Sequence, residues 1–293
     1  MAENAGHEYL TVRELADLLR LKERKVYDLA ASGEVPCSRA TGKLLFPAAE
    51  IRKWIGTAQS GGPAAGVARP PIVLGSHDPL LDWAIRQSRC GLATYFDGSL
   101  DGLERFVRGE GVAAGLHVYD ARSGGWNVPV VAKKAAGMDA VLVSFAVRRR
   151  GLVFRSDGPR VKAVADLAGL RVVPRQAESG TDGVFRDVVA KAGLDFGALT
   201  LAPVARTEDD AVEAVRRGEA DVAFGLEAGA RSFGLEFTAV IDEEFALLAD
   251  RKCWFEPGMQ GLLAFCRSEA FRERAASLGG YDVGRFGAVL WNA

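Results

Sequence analysis

Between Gly56 and Pro71 the chain reads GTAQSGGPAAGVARPP. This run of Gly, Ala, Ser and Pro has a single valine as its only large aliphatic residue, so it has nothing with which to join a core. Such a composition behaves as a flexible linker, stiffened here by the closing diproline. The 293-residue chain is thereby divided into parts that must each bury a core of their own. We place them at residues 1–56 and 72–293, joined by a linker over 57–71.

Residues 1–8 read as a loose tail. Thr11 and Glu14 have capping-box spacing ahead of an apolar stripe, Leu15, Leu18 and Leu19. After a short turn at Arg20-Leu21-Lys22, the pattern predicts a helix over Glu23–Ala31. Its inner positions are Val26 and Leu29; Arg24, Lys25 and Asp28 point outward, and Gly33 supplies a C-cap. Thr41-Gly42 marks a hairpin tip, and Pro47 opens a third helix, PAAEIRKWI. Helix, tight turn, helix, basic hairpin, helix is the layout of a winged helix-turn-helix. Residues 9–55 resemble the excisionase or MerR-type DNA-binding module in their aliphatic positions, the Gly33 stop and the Gly42-Lys43 wing. The resemblance implies that the second helix enters the major groove of double-stranded DNA while the wing touches the flanking backbone. Lys22, Arg24, Lys25 and Tyr27 would then face DNA from the helix, and Arg39 and Lys43 from the wing. Arg24 or Lys25 could contact guanine edges or only phosphates. By residue type alone the same charges make a solvated face, because Glu23 and Asp28 lie among them.

Residues 72–293 alternate strand-like and helix-like runs. Strands are predicted at Ile72–Gly75, Leu92–Phe96, Val112–Val118, Val141–Val147, Leu152–Phe154, around Val172, and at Thr200–Val204 and Asp221–Phe224. Helices are predicted at Pro79–Gln87, Leu100–Val107, Val184–Ala192 and Asp209–Arg217. The alternation argues for α/β layers on a largely parallel sheet, and the length for two lobes. Three strand-to-helix junctions carry small polar residues: Gly75-Ser76-His77-Asp78, Asp97-Gly98-Ser99 and Ser179-Gly180-Thr181. One such junction is commonly only a helix cap. Three together describe a cleft at the C-terminal ends of strands, where helix N-termini offer free N–H groups.

Four stretches carry a second resemblance: LGSHDPLLD from Leu74, SLDGLERFVRGEGVAAGLHV from Ser99, Arg175–Thr181, and ADVAFGLEAGARSFGLEF from Ala220. They are similar to the type II periplasmic binding proteins, and more narrowly to the cytoplasmic version found behind helix-turn-helix modules and beside molybdopterin-biosynthesis enzymes. The resemblance implies a small ligand held between two lobes joined by crossing strands. Kinship with molybdate-binding proteins implies an oxyanion such as molybdate or tungstate. Carried over by motif, Ser76, Ser99, Ser179 and Thr181 would donate hydrogen bonds, and His117, Arg175 and Gly180 would line the same cleft; Asp78 joins this candidate set from the first junction. The family pattern reads Gly-Ser-Gly-Thr-Arg, whereas here Glu178 stands for the first glycine and Asp182 for the arginine. Carboxylates beside a helix N-terminus repel a dianion. They either point to solvent or signal a neutral or amine-bearing ligand, for which Trp126, Trp254 and Phe255 would wall a larger pocket.

The fold class expected is thus α/β, an N-terminal winged helix-turn-helix plus a C-terminal two-lobed periplasmic-binding-protein-like domain. A net charge of −1 supplies no overall basic field for nucleic acid, so a DNA-binding surface must be local. Cys37, Cys90, Cys253 and Cys266 have no paired spacing and read as reduced thiols, mostly in the core of a cytosolic protein, with no zinc site. No signal sequence or membrane-spanning run is evident. Ser76-His77-Asp78 has the residue types of a catalytic triad, but adjacent residues cannot form its relay. Glu243-Glu244, Lys133-Lys134 and Arg148-Arg149-Arg150 read as solvated charges. No metal, cofactor or catalytic role is expected. The reading is a ligand-responsive one-component transcriptional regulator, acting as a homodimer because operators are commonly paired half-sites. Two alternatives stand beside it: an enzyme on the two-lobed fold, and an architectural DNA binder with a degenerate cleft.

Overall fold

The computed structural model describes residues 8–39, 42–57, 68–177 and 179–293. It separates into two compact units, Met1–Ala68 and Arg69–Ala293. The expected tail over 1–7, Thr41 at the hairpin tip, linker residues 58–67 and Glu178 lie outside the described residues.

The first unit runs β1 (Tyr9–Thr11), α1 (Val12–Leu19), α2 (Glu23–Ala31), β2 (Leu45–Pro47) and α3 (Ala48–Thr57). Thr11 and Glu14 form the expected capping box: Thr11 Oγ1 accepts the Glu14 N–H, and the Thr11 N–H donates to Glu14 Oε2 at 2.8 Å. Strand β2 pairs antiparallel with β1, and Ser38 bridges Leu45, so the wing is anchored on both sides. Pro47 closes β2 rather than opening α3. Val12, Leu15, Val26, Leu29, Phe46 and Ile51 are buried together as the core of this unit.

The second unit begins with β3 (Ile72–Gly75), α4 (Pro79–Ser88), β4 (Ala93–Phe96), α5 (Ser99–Val107), β5 (Ala113–Leu116), β6 (Tyr119–Asp120), β7 (Gly125–Trp126) and α6 (Val128–Lys134). It continues with β8 (Ala140–Phe154), β9 (Arg171–Val173), α7 (Gly180–Lys191), β10 (Thr200–Leu201), α8 (Glu208–Arg216), β11 (Val222–Leu226), α9 (Glu227–Ser232) and β12 (Glu236–Asp250). It closes with α10 (Arg251–Trp254), α11 (Pro257–Phe265), α12 (Glu269–Leu278), β13 (Tyr281–Asp282) and β14 (Val289–Asn292).

The sheet order is β10-β9-β11-β8-β12-β5-β3-β4, with β13 and β14 also on β8. Parallel pairing is confined to the two ends, β4-β3-β5 and β10-β9-β11. The middle is antiparallel, which corrects the expectation of a largely parallel sheet. Val141–Val147 and Leu152–Phe154 are not separate strands but halves of β8. Strands β8 and β12, each 15 residues long, pair over their full length and pass from one lobe to the other. Val73, Leu80, Phe145, Phe245 and Phe271 pack in one lobe, with Phe145 edge-on to both other rings at 5.7–5.8 Å. Val172, Val184, Phe185, Val222 and Phe224 pack in the other. Cys266 is buried, Cys90 and Cys253 half-buried and Cys37 exposed; all four are free thiols.

Candidate functional site

In the first lobe the site begins where β3 turns into α4. Gly75 has φ +101°, and a Cβ there would come within 2.2 Å of the Gly115 carbonyl oxygen, so only glycine lets this turn lie against β5. The turn presents Ser76 and His77. Ser76 Oγ lies 2.8 Å from Ser99 Oγ, and Ser99 Oγ accepts the His117 N–H at 3.0 Å. In the second lobe Arg175–Thr181 follows β9. Ser179 caps α7, its Oγ accepting the Asp182 N–H at 3.2 Å, while Thr207 caps α8. The two helices therefore aim their N-termini at the same space. A cavity of about 420 Å³ lies between the lobes, lined among others by Ser76, His117, Arg175, Ser179, Thr181 and Glu208.

Behind the lining of this cleft the crossing strands carry a buried ionic network, which meets it at His117 and Glu208. Arg148 is 1% and Arg150 0% exposed, against the expectation of a solvated run; only Arg149 faces solvent. Alternation along β8 explains this, because Arg148 and Arg150 share one face and Arg149 takes the other. Glu243 on β12 is likewise 0% exposed, not solvated. Its carboxylate accepts from Arg148 Nη2 and, at 2.5 Å, from Arg150 Nε. Glu244 is half-buried and accepts the Ser144 hydroxyl. Asp78 caps α4 through the Leu81 N–H at 2.7 Å, and its other oxygen accepts from Arg148 Nη1 at 2.9 Å and from the Tyr281 hydroxyl at 2.6 Å. Arg150 Nη1 reaches Glu208 at 2.9 Å.

These contacts fix the protonation states. Burial alone would raise the Glu243 carboxyl, but Arg148, Arg150 and His117 hold it well below its ordinary range. Glu208 is likewise opposed by burial, yet Arg150, Arg175 and the Thr181 hydroxyl bring it down to about 2. Burial pushes the His117 imidazole below its ordinary value, only partly offset by Glu243. Neutral His117 thus donates Nδ1–H to Glu243 across 3.2 Å.

In the first unit, Lys22, Arg24, Lys25, Tyr27, Arg39 and Lys43 are all exposed. Tyr27, Arg39 and Lys43 share one groove between α2 and the wing with Arg13, which sequence reasoning did not single out. Lys22, Arg24 and Lys25 stand outside that groove. Among the described residues Lys22, Arg24, Lys25, Arg39 and Lys43 are not ion-paired.

A family model for the PBP superfamily domain matches residues 83–267, well over half of the chain. The chain belongs to the PBP superfamily. A helix-turn-helix domain model matches residues 9–58. The chain is similar to the uncharacterized protein YvgK of Bacillus subtilis (strain 168), 22% identical over 300 residues that cover 96% of this chain and 97% of that one. Among solved structures, the sulfate-binding protein SubI of Mycobacterium tuberculosis H37Rv matches with TM-score 0.51 and 13% identity, over 72% of this chain and 84% of SubI. A Clostridium perfringens ABC-transporter substrate-binding protein solved with bound phosphate matches with TM-score 0.50 and 14% identity, over 71% and 96% of the two chains. These likenesses establish the two-lobed fold.

Within the PBP-superfamily cleft, the structure brings together five of the expected residues, Ser76, His117, Arg175, Ser179 and Thr181. Ser99 stands behind Ser76, and Gly180 packs on His117, where a Cβ would come within 2.7 Å of the His117 carbonyl oxygen. Asp78 does not line the cavity; its oxygens are spent on α4, Arg148 and Tyr281, and neither accepts from His77. Asp182 is buried against Arg186 at 2.6 Å, outside the cleft. The aromatic wall is also corrected: Trp126 packs on Tyr119, Trp254 joins a core and Phe255 is 77% exposed. Glu208 was missed. Its sequence context, directly after Thr207 at a helix start, reads only as first-turn acid. Among the described residues no cluster of three metal-ligating side chains occurs, and no helix is long and apolar enough to cross a membrane.

Proposed function

We propose that the chain is a ligand-responsive, one-component transcriptional regulator of the cytoplasm. The helix-turn-helix unit binds DNA, and the two-lobed unit senses a small molecule. The observation that carries this reading is one chain holding both a helix-turn-helix with unpaired cations on α2 and wing and a cleft between lobes that share crossing strands. The partition at 57–71 and homodimerisation through residues 72–293 belong to the same proposal, since no heptad follows the third helix to pair the DNA-binding units. A ligand drives such a switch only through different affinities for open and closed lobes. The oxyanion expected from the resemblance rests on serine and threonine hydroxyls and Arg175, yet Thr181 and Arg175 already face Glu208. We therefore adopt the coarser reading of a small polar ligand. The test has two steps. A thermal-shift panel of oxyanions, amino acids, polyamines and pterins identifies compounds that raise the melting point. Binding to DNA selected from a random pool is then measured with and without the hit, and an unchanged DNA affinity refutes the regulatory reading.

A further inference from the structure

We propose that Glu208 is the resident anion of the cleft, so that the site excludes free dianionic oxyanions and takes a neutral or ammonium-bearing small molecule. The inference rests on the reading of the cleft as the ligand site.

Two hydrogen-bond donors and one further cation converge on one oxygen, Glu208 Oε1. Thr181 Oγ1, from the first turn of α7, donates at 2.8 Å. Arg150 Nη1, from the fully buried arginine on β8, donates at 2.9 Å. Arg175 Nη1 stands 3.3 Å away on a side chain only 10% exposed, an ion pair without a hydrogen bond. A hydroxyl at a helix N-terminus with two arginines is the equipment that would strip and hold a tetrahedral anion. Here an internal carboxylate, delivered by the first residue of α8, occupies it. Of the remaining hydroxyls, Ser179 accepts the Asp182 N–H as the cap of α7, and Ser76 is bonded to Ser99. Arg175 cannot simply swing to an incoming anion, because Nε and Nη2 are tied to the carbonyls of Ala205 and Arg206.

The charge on the cavity wall points the same way. Asp97 and Asp209 line it and, among the described residues, neither is ion-paired. Of its two arginines Arg175 faces Glu208, while Arg206, among the described residues, is not ion-paired. A dianion entering this space would meet three carboxylates, one of which already holds Thr181 and Arg150, whereas a neutral or ammonium group meets acceptors.

Sulfate and molybdate, titrated calorimetrically into the full-length protein, supply the test. The wild type is expected to bind neither saturably. Glu208→Gln keeps the side chain's shape but removes the negative charge facing Arg150 and Arg175, and it is expected to gain sulfate affinity of about tenfold or more. Adding Arg175→Gln to that variant removes the gain. Wild-type binding of either anion as tight as the variant's overturns the proposal, as does a folded Glu208→Gln protein that gains nothing. Should the variant fold poorly, the wild-type titration still decides, because tight sulfate or molybdate binding there is by itself fatal. A failure of the regulatory reading appears instead as a DNA affinity indifferent to ligand, and leaves this titration untouched.

Discussion

Removing Glu243 should unfold the second unit at markedly lower denaturant. The network around it balances: Arg148, Arg150 and Arg175 against Asp78, Glu243 and Glu208. Glu243→Ala leaves this buried set with one uncompensated positive charge. Taking one partner from a buried ion pair costs about 3–5 kcal/mol, since the remaining charge keeps its desolvation penalty and loses its attraction. Arg148 retains Asp78 and the face of Phe245 at 4.3 Å, and Arg150 retains Glu208, so the lower end, about 3 kcal/mol, applies. Urea slopes reach about 3 kcal/mol per molar in the upper range for small proteins, so the midpoint should fall by about 1 M. Tryptophan fluorescence reads this unit well, because Trp83, Trp126, Trp254 and Trp291 lie in it and only Trp54 outside. The pH dependence gives an independent reading. Glu243 and Glu208 both have depressed folded-state pKa values, so their stabilisation is complete above the ordinary carboxylate range and is lost as pH falls toward about 2 for Glu208. Glu243→Ala should flatten the acid limb of stability against pH. A midpoint that moves by less than about 0.3 M, with an unaltered acid limb, would refute the view that this network holds the crossing strands together.

Three further outcomes follow from the same geometry. Gly180→Ala should push the start of α7 away from His117, costing about 1–3 kcal/mol in thermal unfolding, because the methyl meets backbone that cannot turn aside. His117→Asn should remove the stability that the wild type loses as pH drops below the ordinary histidine value; the folded pKa is depressed, so the unfolded chain takes the proton first. Arg24→Ala with Lys25→Ala should weaken DNA binding, measured by fluorescence anisotropy, and reduce the slope of log affinity against log salt by about 2 if both contact phosphate.

Much of the local structure was legible in the sequence because it is written at short range. The Thr11–Glu14 box, the bounds of α2, strand β3 and Ser76 at its end all follow from spacings of a few residues. The abrupt change in composition after α3 belongs to the same class of signal. Even the cap at Ser179 was available from its place before an apolar periodic run. The ionic network behind the cleft was not. Arg148 and Glu243 are paired by the register of β8 on β12, across 95 residues of chain, and nothing near either one says that a partner waits. A charge run looks solvated until the strand's alternation and its neighbour decide which side chains face inward. Glu208 shows the same limit: it belongs to α8 by sequence, but Thr181, Arg150 and Arg175 come to it from three other segments. Short-range chemistry therefore determined the helices and caps of this chain, while tertiary register decided which charges were buried, because a buried charge is tolerable only where distant segments bring its counter-charge.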